Sequence, residues 1–199
     1  MKKTLTVLLA LVLVIAMSVA GTMAYLTSKD EVVNTFTVGK VAITLDEADV
    51  DEYGAAVTPA ARVDENTYKL IPGHSYTKDP TIHVTAGSED CYLFVKVVNG
   101  IKDYEAAGNT TIADQMEANG WKVVNATNGT YVYAKTTGAK DVVAAGSNVP
   151  VFANFTIADN ANITASGSAL DVVVTAYAVQ AEGFAEKTPA QIWTAANFT

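Results

Sequence analysis

A chain of 199 residues is long enough for one domain whose core buries roughly 70% of the unfolded surface, so no disulfide is required. The formal net charge of −8 argues against nucleic acid as a partner, because phosphate binding needs Lys and Arg. The single cysteine, Cys91, lies in the apolar run CYLFVKVV and is predicted to be a small buried thiol.

The N-terminal 24 residues have the pattern of a secretory signal: two lysines, an apolar stretch without a charge, and then small residues. The expected cleavage lies between Ala24 and Tyr25, with cleavage after Ala20 as the competing site. Residues 1–24 are therefore predicted to be a signal peptide. The uncharged stretch 4–28 is also long enough to span a bilayer, so an uncleaved anchor is the alternative.

The next segment, EVVNTFTVGKVAITL, contains two alternating patterns that are out of step at Gly39. Before this glycine the apolar side chains Phe36 and Val38 are even-numbered, whereas the apolar set after it, Val41, Ile43 and Leu45, is odd-numbered. A slip of one residue moves a strand's side chains to the opposite face of a sheet. We therefore predict two strands, 32–38 and 40–45, with Gly39 as a bulge, a bend or a hinge.

The remaining chain is rich in strand signals that Gly, Asn, Asp and Ser clusters separate. The predicted strands are TYKLI (67–71), PTIHV (80–84), CYLFVKVV (91–98), WKVV (121–124), TYVYAKT (130–136), VPVFANFTI (149–157) and ALDVVVTAYAVQA (169–181). So many short strands predict an all-β fold, an antiparallel β-sandwich or jelly roll, over residues 40–199.

Two short peripheral helices are predicted from capping signals. In TTIADQMEANG (110–120), Thr111 is the expected N-cap and Gly120 the stop. In TPAQIWTAANF (188–198), Thr188 begins a capping box that Gln191 completes. The apolar residues of the second helix are expected to cover an end of the sandwich.

Motifs for catalysis or metal binding do not stand out, so we expect no catalytic residue, no metal ligand and no cofactor. His74 and His83 lack the HExxH spacing that places two zinc ligands on one helical face, and solvated or edge positions are expected for both. The acidic run DEADVDEY (46–53) lacks the central glycine and terminal glutamate of an EF-hand loop, and a solvated loop is expected there.

Two blocks of the chain resemble the exported TasA and camelysin family, whose signals are processed by the signal peptidase SipW. The first block is GTMAYLTSKDEVVNTFTVGKVAITL, with Gly21-Thr22, Ala24, Tyr25, and Asn34, Phe36 and Gly39 in the Asn-x-Phe-x-x-Gly pattern. The second is PGHSYTKDPTIHVTAGSEDCYLFVKV (72–97). Together the matching blocks cover about residues 1–45 and 67–98, and residues 101–164 have no counterpart in this pattern.

The resemblance implies a secreted jelly-roll subunit of the biofilm matrix or cell surface of a Gram-positive bacterium. It implies that residues 25–39, once freed by the dedicated signal peptidase, leave their own domain about Gly39 and add as a strand to a neighbour. Head-to-tail contacts that do not close give a filament. The candidate donor strand contains Val32, Asn34, Phe36 and Val38, and participation of an accessory fibre subunit is left open.

Two other classes of function stay open. Camelysin has been described as a metallopeptidase, so a metal-dependent endopeptidase is the first alternative, although no zinc motif is visible. A monomeric module that binds carbohydrate or host protein through Tyr and Trp on one sheet face is the second.

Overall fold

A computed structural model of the chain describes residues 40–108, 110–127, 130–135 and 141–198, which fall within one compact unit. The described part is mainly β, with antiparallel sheets and two short α-helices, as the composition of its segments predicts. It contains no helix that is long and apolar enough to cross a membrane.

Two four-stranded antiparallel sheets form the body of this unit. Sheet I has the order β2-β1-β4-β8 and contains β1 (Ile43–Ala48), β2 (Arg62–Val63), β4 (Thr81–Val84) and β8 (Asn148–Pro150). Sheet II has the order β10-β5-β7-β6 and contains β5 (Cys91–Asn99), β6 (Trp121–Thr127), β7 (Thr130–Lys135) and β10 (Val172–Gln180). A smaller ladder pairs β3 (Ser75–Thr77) with β9 (Asn154–Thr156).

One apolar core joins the two sheets. Ile82 and Val84 of sheet I are buried in the same cluster as Leu93 and Val95 of sheet II. Because side chains alternate across a strand, the odd-numbered residues of β5 face this core and the even-numbered ones face outward. Cys91 also lies in the core with no exposed surface, which confirms the predicted buried thiol.

The outward face of β5 is buried as well. Tyr92 and Phe94 form a second apolar cluster with Ile192, which lies on a C-terminal helix. This explains why CYLFVKVV is a continuous apolar run: both faces of its N-terminal half are covered.

Both predicted helices are present with their predicted caps. Helix α1 (Ile112–Ala118) begins after Thr111, whose hydroxyl accepts a hydrogen bond from the Asp114 N–H (3.2 Å). Helix α2 (Pro189–Ala196) begins after Thr188, which forms a capping box with Gln191. The predicted position of α2 was wrong: it covers the outward face of sheet II, where Phe94 supplies apolar surface, instead of an end of the sandwich.

The strand predicted at 67–71 was also wrong. No ladder forms there because the Tyr76 hydroxyl takes its main-chain groups: it accepts from the Ile71 N–H (2.7 Å) and donates to the Lys69 carbonyl (2.6 Å). The Lys69 N–H donates to the Glu52 carbonyl (2.8 Å) instead of to a strand. The apolar side chains of this segment, Tyr68 and Leu70, still pack against the core.

The predicted strand 149–157 is divided into β8 and β9. Between them the Gln115 side chain of α1 accepts hydrogen bonds from the N–H groups of Ala153 (3.1 Å) and Asn154 (3.3 Å). Since a helix side chain satisfies these donors, the strand ladder is interrupted at this point.

Two turns, one before β3 and one after β5, follow the predicted turn formers. Gly73 has a φ of 80°, a conformation that glycine adopts without strain. Gly100 is required for a different reason, because a Cβ there would lie 2.4 Å from the carbonyl oxygen of Ala169. That carbonyl belongs to the short 3₁₀ helix Gly167–Leu170, which leads into β10.

Candidate strand-acceptor groove

Every residue that the sequence nominated for the N-terminal site lies outside the described residues. These are Ala24 and Tyr25 of the cleavage site, Val32, Asn34, Phe36 and Val38 of the candidate donor strand, and Gly39 of the hinge. The structure describes the domain that follows this segment.

Strand β10 forms one edge of sheet II and pairs with β5 alone among the described strands. The Gly100 N–H donates to the Asp171 carbonyl (2.9 Å), and the Ala181 N–H donates to the Asp90 carbonyl (2.8 Å). Because hydrogen bonding alternates along an antiparallel pair, odd-numbered residues of β10 point their main-chain groups at β5 and even-numbered residues point theirs away.

The even-numbered residues of β10 therefore carry the open hydrogen-bonding edge. Their side chains pack against the apolar core. They are Val172, Val174, Ala176 and Ala178. Each presents an N–H and a carbonyl that no other described residue engages. The edge has no proline or charged side chain between Val172 and Gln180, two of the features that usually protect such an edge from pairing.

Strand β1 presents a second open edge in sheet I. The Thr85 N–H donates to the Ala42 carbonyl (2.9 Å), so the even-numbered residues of β1 face β4. Ile43 and Leu45 consequently direct their main-chain groups to the opposite side. Strand β2 pairs with β1 only from Glu47 onward, which leaves the first half of β1 open among the described strands.

A cavity of about 600 Å³ lies between these strands and opens to solvent. Leu45 lines it from β1, and Val172 and Val174 line it from β10. The remaining wall contains Tyr68 and Phe155, whose rings meet edge to face with their centroids 5.3 Å apart. We call this feature the acceptor groove: the cavity together with the open edges of β1 and β10.

A buried polar cluster lines part of the acceptor groove. Glu47 is 4% exposed, and its carboxylate lies 2.6 Å from the Lys78 Nζ. The Asn66 Nδ2 donates to the other carboxylate oxygen (2.9 Å). Burial, with a smaller contribution from the carboxylates of Glu47 and Asp79, raises the pKa of Tyr68 beside them. Tyr68 is therefore a neutral hydrogen-bond donor, and its hydroxyl donates to the Thr77 carbonyl (2.9 Å).

The sequence analysis missed this cluster because it predicted a solvated loop at 46–53. That prediction was wrong for the first part of the run, since β1 extends to Ala48. A signal was available: the odd-numbered phase of Ile43 and Leu45 continues through Glu47, which therefore points inward. A carboxylate at such a position needs a buried partner, and Lys78 supplies it.

The two histidines contact different partners. The His74 Nε2 lies 2.9 Å from the Tyr53 carbonyl oxygen. His83 lies on the outward face of sheet I, with its Nε2 2.9 Å from Asp46 and its Nδ1 2.7 Å from Asn148. Among residues 40–108, 110–127, 130–135 and 141–198, no three His, Cys, Asp or Glu side chains are grouped closely enough to hold a metal ion.

The thiol of Cys91 is also unsuited to nucleophilic chemistry at neutral pH. Burial, together with the nearby Asp90 carboxylate, raises its pKa to about 11. A thiol that stays protonated is a weak nucleophile.

Comparison with protein-family models, with curated proteins and with solved structures finds no match to this chain. The function is therefore argued from the residues and the geometry of the acceptor groove.

Proposed function

We propose that this chain is a secreted structural subunit of extracellular fibres, in the biofilm matrix or at the cell surface of a Gram-positive bacterium. Residues 25–38 of one copy are the donor strand, and the acceptor groove of the next copy is their binding site. In this proposal the domain is a β-sandwich of the jelly-roll type, the TasA and camelysin resemblance reflects common ancestry, and a SipW-type peptidase frees the donor.

The observation that carries the proposal is the open edge of β10 above an incompletely filled core. An added strand would pair with the main-chain groups of Val172, Val174 and Ala176 and bury their half-exposed side chains. Strand addition of this kind obtains affinity from main-chain hydrogen bonds and specificity from pockets for alternate side chains. The cavity beside Leu45 offers such a pocket.

The predicted donor fits the length and the chemistry of this site. Residues 32–38 contain seven residues against the nine of β10, and both elements rise about 3.3 Å per residue. Phe36 and Val38 have the same parity, so they project to one face of the strand. With that face toward the groove, both side chains cover apolar surface.

A second copy is the proposed source of the donor because the phase slip at Gly39 separates residues 32–38 from the strand that follows. Donation to the next copy uses two different surfaces, the donor of one and the groove of another. Contacts of this type propagate without closing, and the product is a filament.

The test compares two purified forms of the protein, one that begins at Tyr25 and one that begins at Gly39, by negative-stain electron microscopy over time and concentration. We expect filaments from the longer form alone. A synthetic peptide of residues 25–38 should bind the shorter form and raise its Tm, whereas a scrambled peptide should not. Monomers from both forms, with no peptide binding, would overturn the proposal.

A variant of the acceptor edge tests the groove itself. Ala176→Pro removes an N–H that faces the groove and keeps the hydrogen bonds to β5, as proline is tolerated at strand edges. We expect a folded protein that forms no filaments and does not bind the peptide. Ala176→Ser, which keeps the N–H, is the matched control and should still assemble. Filaments from the proline variant would exclude this edge as the acceptor.

The two alternative functions predict other results. A metal-dependent endopeptidase would cleave casein in a chelator-sensitive manner, and a His74→Ala, His83→Ala double variant would lose the activity. A monomeric binding module would stay monomeric after processing and bind glycans on an array.

A further inference from the structure

A lysine, a glutamate and an asparagine meet in the wall of the acceptor groove. Glu47 lies at an inward position of β1, Asn66 in the segment after β2, and Lys78 directly after β3. The side chains of Lys78 and Glu47 are 11% and 5% exposed. One carboxyl group contacts both nitrogens, with the Lys78 Nζ at 2.6 Å and the Asn66 Nδ2 at 2.9 Å.

The side-chain amide of Asn66 is held from both ends. Its Oδ1 accepts a hydrogen bond from the Val50 N–H (3.0 Å), and its Nδ2 also donates to the Ala48 carbonyl (2.8 Å). The main-chain N–H and carbonyl determine this orientation, because each needs a partner of the opposite kind. A preorganised N–H at Oδ1 stabilises negative charge that develops on this oxygen when a nucleophile attacks Cγ.

Aromatic side chains lie beside the Lys78 amine. Its Nζ lies 5.8 Å from the ring centroid of Tyr68, which packs edge to face against Tyr76 and Phe155. A buried ion pair carries a large desolvation cost. Lysine acts as a nucleophile through its neutral amine, and the Glu47 carboxylate, 2.6 Å from Nζ, is placed to accept the proton.

We propose that Lys78 and Asn66 form an intramolecular amide bond, with Glu47 as the group that moves the proton. The Nζ attacks the Asn66 Cγ, and a new C–N bond forms. Glu47, which has taken a proton from Nζ, delivers it to Nδ2 as general acid. The Cγ–Nδ2 bond then breaks, ammonia leaves, and the Glu47 carboxylate takes the second proton from Nζ to give the neutral amide, so that atoms and charges balance without an oxidant or a co-reactant.

The acceptor groove supplies the exit for the ammonia, since Glu47, Asn66 and Lys78 all line its cavity. Proximity alone accelerates such a step strongly when the reacting groups are held in position. The product ties the segment after β2 to the end of β3 and closes a loop across the turn at Gly73. The bond would form in a fibre subunit or in a monomer alike.

Mass spectrometry of the full chain, digested with trypsin after unfolding, tests the bond. Trypsin cleaves after Arg62 and Lys69 but not after an acylated lysine. We expect residues 63–69 to stay attached to residues 70–96, with a total mass lower by one ammonia than the sum of the two peptides. Separate peptides at full mass, with cleavage after Lys78, would overturn the proposal.

Three conservative variants extend the test. Lys78→Arg should restore full mass, which distinguishes the amide bond from ammonia loss at Asn99-Gly100, a change that does not involve Lys78. Asn66→Asp should still give the linked peptide but lose water in place of ammonia. Glu47→Gln should leave the peptides unlinked in protein whose circular dichroism matches the wild type. Ammonia loss that persists in Lys78→Arg would also overturn the proposal.

Discussion

The outward faces of the two sheets are stabilised in different ways. On sheet II, Phe94 is 1% exposed because helix α2 lies over it and places Trp193 5.6 Å away, centroid to centroid. On sheet I, Asp46 accepts hydrogen bonds from Arg62 and His83 at a surface that solvent reaches. An apolar sheet face needs another element to shield it from water. A charged sheet face can stay in contact with solvent, because its side chains form hydrogen bonds with one another and with water.

This difference bears on assembly. With α2 in place, the large apolar side chains described as exposed on sheet II are Val98, Val123 and Val173, which are 41%, 53% and 49% exposed. Helix α2 covers apolar surface of sheet II that could otherwise stack face to face, which favours the proposed pairing at strand edges. The comparison of the two faces predicts how stability responds to substitution, from the largest effect to the smallest.

The largest effect is expected where the covered face loses its central side chain. Phe94→Ala should lower the free energy of unfolding by about 3–5 kcal/mol, since a cavity remains between β5 and α2. Lys96→Ala, on the same strand and face but beyond the helix, should change it by less than about 0.5 kcal/mol. Urea unfolding measures both. Equal losses in the two variants would show that α2 does not stabilise the face it covers.

A smaller effect is expected where the covering helix begins. Thr188→Ala removes the hydroxyl that accepts the Gln191 N–H (3.3 Å) and should cost about 1 kcal/mol. Thr188→Ser keeps the capping oxygen and should be close to wild type. Thermal unfolding followed by circular dichroism distinguishes them. If the alanine variant unfolds at the wild-type temperature, the helix is held by its apolar side chains alone.

On the charged face, removal of one carboxylate should have a modest effect. Asp46→Asn weakens the contacts with Arg62 and His83 and should cost about 1 kcal/mol or less, because these side chains are partly exposed. The loss should shrink at high salt, which screens exposed charges. Thr44→Ala is the control, because Thr44 lies two residues before Asp46 on the same face of β1. If Asp46→Asn lowers the free energy of unfolding by more than Phe94→Ala does, the charged face contributes more to stability than the covered apolar face, contrary to this prediction.

The smallest effect is a dependence of stability on pH. The hydrogen bond to Asp46, followed by that to Asn148, raises the pKa of His83 above 6.5, so the folded state binds this proton more tightly than the unfolded state. Its contribution is complete below pH 6.5 and is lost as the pH rises through the folded-state value.

Asp46 acts in the opposite direction. Burial raises its pKa, but the hydrogen bonds from Arg62 and His83 outweigh this and hold the pKa below 3.8. Its contribution is therefore lost as the pH falls through the lowered value. Tm measured between pH 5 and 8 should decline toward pH 8 in the wild type and be flatter in His83→Gln. An unchanged slope in that variant would assign the dependence to another group.

Local signals were read correctly from the sequence. The N-cap at Thr111 and the capping box at Thr188 depend on residues no more than three positions apart, and both formed as predicted. The apolar run CYLFVKVV predicted both the strand β5 and the buried thiol of Cys91, because a continuous apolar run is typical of a strand that is covered on both faces. These features require no knowledge of what lies far away in the chain.

Features that depend on distant partners were missed or wrong. Segment 67–71 has strand propensity, but a tyrosine side chain takes its main-chain hydrogen bonds. Glu47 belongs to an acidic run, yet its inward position matters only because Lys78, 31 residues later, ends beside it. The proposed donor strand stays a prediction, since residues 25–38 lie outside the described residues.

The sequence by itself determined the mainly-β class, the two capped helices and the alternation that turns one face of each strand inward, because these are set by neighbours along the chain. Only the tertiary structure decided that β10 is an edge, that β1 lines the same cavity, and that Lys78, Glu47 and Asn66 meet. Strand order and buried polar contacts join residues far apart in sequence, and no local pattern encodes which of many compatible pairings has the lowest free energy.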